Sequence, residues 1–271
     1  MNFTEKLLKA SQKNRSLLCV GLDPDSRFIP DTDVLEFLLQ IVEATKDLVC
    51  AYKPNLAFFE VLGSRGFTIL EKTLQHIPED IPVIADAKRG DIGNTARKYA
   101  EALFEVFNFD AATVNPYLGY DSLEPFINYA QKGIFILCST SNVGAADFQQ
   151  LRYHEPLSKK TRSLFELVAI KAKEWNTYNN IGLVVGATQP KTLKVVRELC
   201  PEMPLLIPGI GAQKGDLASA VRYGVDANKE KAIISSSRQI LYSARGKDFA
   251  SAARREALKI REQINQVLAN L

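Results

Sequence analysis

The stretch VIADAKRGDIGNTARKYA, residues 83–100, passes from an apolar run into Asp86, Lys88, Arg89 and Asp91 within six positions. On a strand, Asp86 and Lys88 lie two residues apart and share a face. Asp91 follows on the loop or first helical turn, and Lys53 ends another apolar run, VCAYKP (49–54). Two carboxylates and two ammonium groups could therefore alternate in space. At about 4 Å and an effective dielectric near 20, each adjacent opposite pair interacts by roughly 4 kcal/mol before desolvation is subtracted. Such a network keeps both lysines protonated and both aspartates ionised. Taken singly, the same residues have plainer roles: Asp91 could cap a helix beginning near Gly93, Lys88 and Arg89 could be loop charges, and Lys53 could snorkel from a strand end.

A second constellation lies late in the chain, in PGIGAQKGD (208–216) and SSSRQILY (235–242). Backbone amides freed by Gly209, Gly211 and Gly215, the side-chain amide of Gln213 and the guanidinium of Arg238 are what a phosphate dianion needs. GIGAQKG is not the dinucleotide fingerprint, because its third glycine is wrongly spaced.

The elements that would position these groups follow from runs of four to eight β-prone residues. Eight strands are expected: 17–23, 49–54, 82–88, 111–117, 133–140, 181–188, 204–210 and 231–237. Stretches of helical spacing alternate with them, among them 33–48, 96–107, 163–175 and 190–199, and 249–268 closes the chain. No Pro/Gly/Ser-rich linker divides the chain, so one domain over residues 1–271 is expected. Eight buried strands alternating with helices predict an α/β fold, a (β/α)8 TIM barrel, with a doubly wound open sheet as the structural alternative. Polar residues favour the barrel, because they gather at strand ends: Asp23, Lys53, Asp86, Lys88, Asn115, Ser139, Ser141, Thr188, Gln213 and Arg238. Barrel enzymes build their active sites at that face, with phosphate held after the seventh and eighth strands.

Composition narrows the function classes. Net charge is +3, from 34 basic and 31 acidic residues mixed along the chain, so there is no nucleic-acid footprint. The basic cluster Lys159, Lys160 and Arg162 is expected on a solvated helix face. The N-terminal residues lack the apolar region of a signal peptide and no span reaches 18 apolar residues, so a soluble, cytoplasmic protein without membrane contact is expected. Cys19, Cys50, Cys138 and Cys200 are widely spaced and suggest neither disulfides nor zinc; three are expected as small core residues in strands. His76 and His154 lie away from strand ends and are expected at the surface.

The DAKRGDI segment resembles the DxKxxDI signature of the orotidine 5′-phosphate decarboxylase family. GLDPD (21–25), YKPN (52–55), NPYLGYDSLEPF (115–126), CSTSN (138–142), VVGAT (184–188), PGIGAQKGD and SRQILY resemble that family's successive blocks in order, over nearly the whole chain. NPYLGYDSLEPF and TSN are similar to its longer bacterial subgroup. The resemblance implies conversion of orotidine 5′-phosphate to UMP and carbon dioxide, the last step of de novo pyrimidine synthesis, with no pyridoxal, thiamin or metal. Loss of carbon dioxide leaves a carbanion in the ring plane at C6, which the protein must stabilise electrostatically. Lys88 matches the lysine that stabilises and protonates C6, and Asp86 the aspartate against the departing carboxylate. Lys53 matches the lysine that orients this aspartate and contacts a ribose hydroxyl; Asp91 matches the aspartate that orders both lysines.

The resemblance further implies a homodimer in which Asp91 and Thr95 reach into the neighbouring site. Asp23 matches a ribose ligand and Ser141 the serine reading the pyrimidine amide edge. Gln213 and Arg238 match phosphate ligands, with Gly211 on the same loop, and Ile92 closes the signature beside the substrate. Two positions depart from the family pattern: Val143 stands where proline commonly follows TSN, and Gln239 where glycine commonly follows SR. Neither removes a charge, so altered affinity is expected. Two alternatives remain: a magnesium-dependent sugar-phosphate decarboxylase or synthase sharing DxKxxD, and a non-catalytic nucleotide-binding barrel.

Overall fold

The computed structural model describes residues 1–30, 32–154, 160–211 and 215–271. Its eight-stranded sheet is built from β1 (Leu18–Leu22), β2 (Ala51–Pro54), β3 (Ile84–Arg89), β4 (Ala111–Val114), β5 (Gly133–Ser139), β6 (Ile181–Val185), β7 (Leu205–Pro208) and β8 (Ala232–Ser236). All eight expected strands form. Their order is β2-β1-β8-β7-β6-β5-β4-β3, with every ladder parallel. Single parallel bridges Tyr52↔Val83 and Asn55↔Asp86 join the two ends of that order and close the barrel. The closed ring excludes the doubly wound sheet.

Strands covered on both faces must be apolar throughout, and β1, β2, β4, β6 and β8 are buried at every residue. Alternation sorts the side chains. Cys19, Ala51, Ile84, Ala111, Phe135, Val184, Leu206 and Ile233 form a cluster inside the barrel. Leu18, Val20, Ile134, Ile136, Leu183, Leu205 and Ile234 belong to the larger outer core shared with the helices. Helices at Val34–Thr45, Gly63–His76, Tyr120–Ile127, Leu164–Trp175, Pro190–Leu199, Leu217–Gly224 and Phe249–Ala269 supply that covering layer.

Several local expectations need correction. Helix 96–107 starts earlier, at Gly93, and after Glu101 passes into a π turn, Ala102–Val106. The basic cluster does not lie on a helix: Thr161–Ser163 is a short strand paired antiparallel with Arg152–His154, Arg162 faces Glu166 at 3.6 Å, and Lys159 lies outside the described residues. All four cysteines are free and buried, but only Cys19 and Cys138 are in strands; Cys50 directly precedes β2 and Cys200 follows a helix. The N-terminal helix Phe3–Asn14 was not anticipated, although Asn2 and Glu5 form a capping box that announces it.

That helix closes the bottom of the barrel. Phe3 and Leu7 join the inner cluster, and the Phe3 ring meets Phe135 edge-on at 5.5 Å. Glycine makes the room: a Cβ on Gly133 would lie 2.5 Å from the Phe3 ring, and one on Gly182 2.5 Å from Phe135 and 2.8 Å from the Pro204 carbonyl oxygen. Gly182→Ala is expected to cost about 1–3 kcal/mol of stability by overpacking, seen as a lower midpoint in denaturant. An unchanged midpoint would show that the inner layer can give way.

Candidate active site

Two residues further along the strands from the inner apolar layer, the side chains turn polar. Lys53 follows Ala51, Asp86 follows Ile84, Thr113 follows Ala111 and Ser235 follows Ile233, all facing one end of the barrel. They line a cavity of about 410 Å³ together with Asp23, Lys88, Thr140, Ser141, Asn142, Ser237 and Arg238. Leu137, Val184 and Leu206 supply its apolar surface. The volume suits a small ligand held by a few convergent polar groups.

Asp86 occupies the centre of the charge cluster. Lys53 Nζ donates to its Oδ2 at 2.7 Å, and Lys88 Nζ donates to its Oδ1. Lys53 is buried, whereas half of the Lys88 side chain remains open to the cavity. Burial opposes charge on Lys53, but the Asp86 and Asp23 carboxylates outweigh it and hold its pKa above the usual lysine range. Burial would likewise raise the Asp86 pKa, yet Lys53 and Lys88 hold it well below the usual carboxylate range. Beneath them, burial pushes the Cys19 thiol up to about 12 against the opposing effect of Lys53, keeping it neutral.

These two shifts make a pH prediction. The lowered Asp86 pKa contributes stability above the carboxylate range, lost as pH falls through the folded value. The raised Lys53 pKa contributes stability below the lysine range, lost as pH rises through the folded value. Both contributions are therefore intact from about pH 5 to 9. Lys53→Met leaves Asp86 with one cation fewer and is expected to cost about 3 kcal/mol at neutral pH. That loss should shrink toward about pH 4, where the variant's Asp86 protonates. Denaturant midpoints across pH would show it; a loss constant with pH would remove the ion pair as its cause.

Lys88 does not reach Asp86 by regular strand geometry. The β3–β4 register slips between Ala85 and Arg89, and Lys88 has φ +47°, a left-handed backbone that costs a non-glycine residue energy. Thr113 compensates. Its Oγ1 accepts from the backbone N–H groups of Ala87 (3.0 Å) and Lys88 (2.9 Å) and donates to Asp86 Oδ1 (3.2 Å), using its full bonding capacity.

Asp23 stands beside this group. Ser237 Oγ donates to its Oδ2 at 2.5 Å, and Tyr242 OH donates to its backbone carbonyl at 2.6 Å while accepting from Asp25 N at 2.7 Å. Asp23 Oδ1 is buried and has no partner among the described residues, so an acceptor is left for a ligand hydroxyl. Gly21 is required here, because a Cβ would come 2.8 Å from that of Ser237. Pro208, Gly209, Ile210 and Arg238 line the same cavity. Gly209 and Gly211 have φ +102° and +85°, conformations open to glycine. Gln213 lies outside the described residues, and Gly211 does not line the cavity. Asp23 and Asp86 against Lys53, Lys88 and Arg238 leave one net positive charge, suited to an anion.

The other expected residues fall elsewhere. Asp91, Ile92 and Thr95 do not line the cavity of their own chain: Asp91 Oδ1 accepts from Ile92 N at 2.8 Å, Ile92 is 56% exposed, and Thr95 is exposed. No side chain caps the helix at Gly93, so the capping role is not seen. Arg89 ends β3 rather than lying in a loop, and its charge is paired, bonded to Glu60 and stacked 5.1 Å over Tyr99. Asn115, Ser139 and Thr188 stand outside the cavity; Asn115 Oδ1 accepts from Tyr117 N at 3.0 Å. His76 faces Glu43 at 3.8 Å and His154 bonds Thr161 at 2.8 Å, both away from the site. Sequence reasoning missed Thr113, Thr140, Asn142, Ser235 and Ser237. For Ser235 and Ser237 a signal existed in KAIISSS, hydroxyls two apart at the end of an apolar strand.

The model of the orotidine 5′-phosphate decarboxylase / HUMPS family matches residues 16–255. The chain belongs to this family. An orotidine 5′-phosphate decarboxylase of Dehalococcoides mccartyi strain BAV1 is 55% identical over 266 residues, 98% of each chain. One from Roseiflexus sp. strain RS-1 is 48% identical over 275 residues, 99% of each. Among solved structures, Leishmania donovani OMP decarboxylase superposes with a TM-score of 0.87 at 38% identity, covering 99% of this chain and all of that one. The Leishmania donovani UMP synthase does so at 0.89 and 41%, covering 98% of this chain and 56% of that one.

Within the family pattern, the two departures have a structural setting. Val143 is 97% exposed and opens the 3₁₀ turn Val143–Asp147, preceded by Asn142 at φ −78°, ψ 154°. Proline accepts that position, so valine keeps the turn that proline would favour. Gln239 Nε2 donates to Glu256 Oε1 at 2.5 Å, which turns its Oε1 toward Gly211, where a Cβ would lie 1.8 Å from it. Gln239 therefore fills space that demands glycine at 211.

Proposed function

We propose that this chain decarboxylates orotidine 5′-phosphate to UMP and carbon dioxide as a single barrel domain over residues 1–271. The observation that carries the reading is the Lys53–Asp86–Lys88 cluster inside a cavity that Arg238 also lines. The near full-length likeness to curated decarboxylases supports it. In the proposed reaction the bond from C6 to the carboxylate breaks and its electron pair stays on C6. Lys88 Nζ faces that developing charge and delivers its proton to C6, and the neutral amine regains one from solvent. Asp86 lies against the departing carboxylate, and it stays ionised because Lys53 remains its cationic partner while Lys88 gives up and regains its proton.

Lys53 orients Asp86 and, with the free Oδ1 of Asp23, meets the ribose hydroxyls. Ser141 reads the pyrimidine amide edge; Arg238, Gln213 and the Gly211 loop hold the phosphate. Binding energy collected at the phosphate, remote from C6, can be used to assemble the charged site. Asp91, Thr95 and Ile92 act on the partner's substrate in a homodimer. In support, exposed apolar residues follow three adjacent strands: Val61 (78%) after β2, Ile92 (56%) after β3, and Tyr117 (81%) and Leu118 (47%) after β4. Among the described residues no helix is long and apolar enough to cross a membrane, and a reaction that forms a pyrimidine nucleotide supports a cytoplasmic location.

The test is the ultraviolet absorbance of orotidine 5′-phosphate with purified protein in excess chelator. Rapid turnover is the expected result. An inert folded protein would overturn the reading, and activity that returns only with magnesium would favour a metal-dependent relative.

A further inference from the structure

Ser141 sits on a short turn whose position is determined from two sides. On one side Gly186 leaves no room to spare: a Cβ there would lie 2.9 Å from both the backbone nitrogen and the Cβ of Ser141, and Gly186 N donates to Ser139 O at 2.7 Å. On the other side stands Gln149, outside the cavity lining. Its Oε1 accepts from the backbone N–H of Thr140 at 2.8 Å, and its Nε2 donates to Thr140 Oγ1 at 2.9 Å. Thr140 Oγ1 in turn donates to Asn142 Oδ1 at 2.6 Å. The orientation of the Gln149 amide is unambiguous, because a backbone N–H can only donate.

Gln149 is itself anchored at both backbone groups. Its N–H donates to Ala145 O at 2.8 Å, and its carbonyl accepts from Phe165 N at 3.1 Å. Phe165 is buried at the start of the helix Leu164–Trp175, and its carbonyl accepts from Cys138 Sγ in β5 at 3.3 Å. A chain of contacts thus runs from barrel wall to helix, to Gln149, to the turn carrying Ser141. Val143, fully exposed in the next residues, contributes nothing to holding that turn.

We infer that Gln149 is a positioning residue for base recognition: its side-chain amide clamps Thr140–Asn142 so that Ser141 presents its hydroxyl to the pyrimidine. The inference rests on the reading of Ser141 as the base contact. Removing the clamp leaves the partly buried Thr140 N–H unpaired and frees the turn, while Arg238, outside this chain of contacts, is untouched.

The experiment measures UMP and ribose 5-phosphate affinity by calorimetry for wild type, Ser141→Ala, Gln149→Leu and Gln149→Glu. Gln149→Leu and Ser141→Ala should each weaken UMP by about tenfold and leave ribose 5-phosphate unchanged, and the double variant should be little worse than either. Gln149→Glu should fall between wild type and Gln149→Leu, because a carboxylate still accepts from the Thr140 N–H but cannot donate to the Thr140 hydroxyl, whose single proton serves Asn142. Wild-type UMP affinity in Gln149→Leu, with Ser141→Ala impaired, overturns the positioning role alone. Equal loss for both ligands in Gln149→Leu would mark a merely structural residue and also overturn it. Wild-type UMP affinity in Ser141→Ala would overturn the base-contact reading and the inference with it.

Discussion

A Lys88→Ala variant should fold, bind UMP and lose turnover of orotidine 5′-phosphate by at least about 10⁴-fold, combining the loss of a general acid with that of the charge nearest C6. Folding should survive because Asp86 keeps its 2.7 Å partner Lys53, so no buried carboxylate is left unpaired. Product affinity should survive because Arg238 and Asp23 are untouched. The measurement is single-turnover absorbance beside UMP calorimetry. Lys88 is half exposed while Lys53 is buried, which favours Lys88 over Lys53 as the proposed proton donor. Activity within about tenfold of wild type would move the proton donor elsewhere, since a catalytic acid contributes at least about 10²-fold.

Mixing inactive Lys88→Ala with inactive Asp91→Ala should restore about one quarter of wild-type activity if Asp91 serves the neighbouring site of a symmetric dimer. Random exchange makes half the dimers mixed, and each mixed dimer pairs one intact Lys88 with one intact partner Asp91. The geometry motivates the test: Asp91 does not line its own chain's cavity, and the apolar Ile92 next to it is 56% exposed. Mixed dimers confirmed by native mass spectrometry but without activity would overturn the shared site.

Much of this protein is legible along the chain because its information is local. Eight short apolar runs, all but the seventh with a polar residue at or beside the end and alternating with helical spacing, are enough to predict the barrel and the end at which chemistry gathers. Asp23, Lys53, Asp86, Lys88, Ser141 and Arg238 all line the cavity for that reason. Strand periodicity aims residues two apart at the same side, and parallel strands bring all their C-terminal ends together.

What the tertiary structure decided depends on contacts between distant positions. Thr113 secures Asp86 and the left-handed turn at Lys88 from 25–27 residues away, and Ser237 meets Asp23 across 214 residues. Thr113 does not differ, as sequence, from any other strand hydroxyl, and the run KAIISSS marks Ser237 without marking its partner Asp23. Phe3 closes the barrel floor because Gly133 leaves space for its ring, and Phe135 packs beneath it because Gly182 does the same, spaces that a pattern of apolar residues cannot display. Asp91, two residues beyond the strand's end, shares the spacing of its neighbours yet leaves their cavity, because the turn at Lys88 redirects the chain before it arrives. Local spacing determined which groups stand at the barrel mouth; packing between remote segments decided which of them meet.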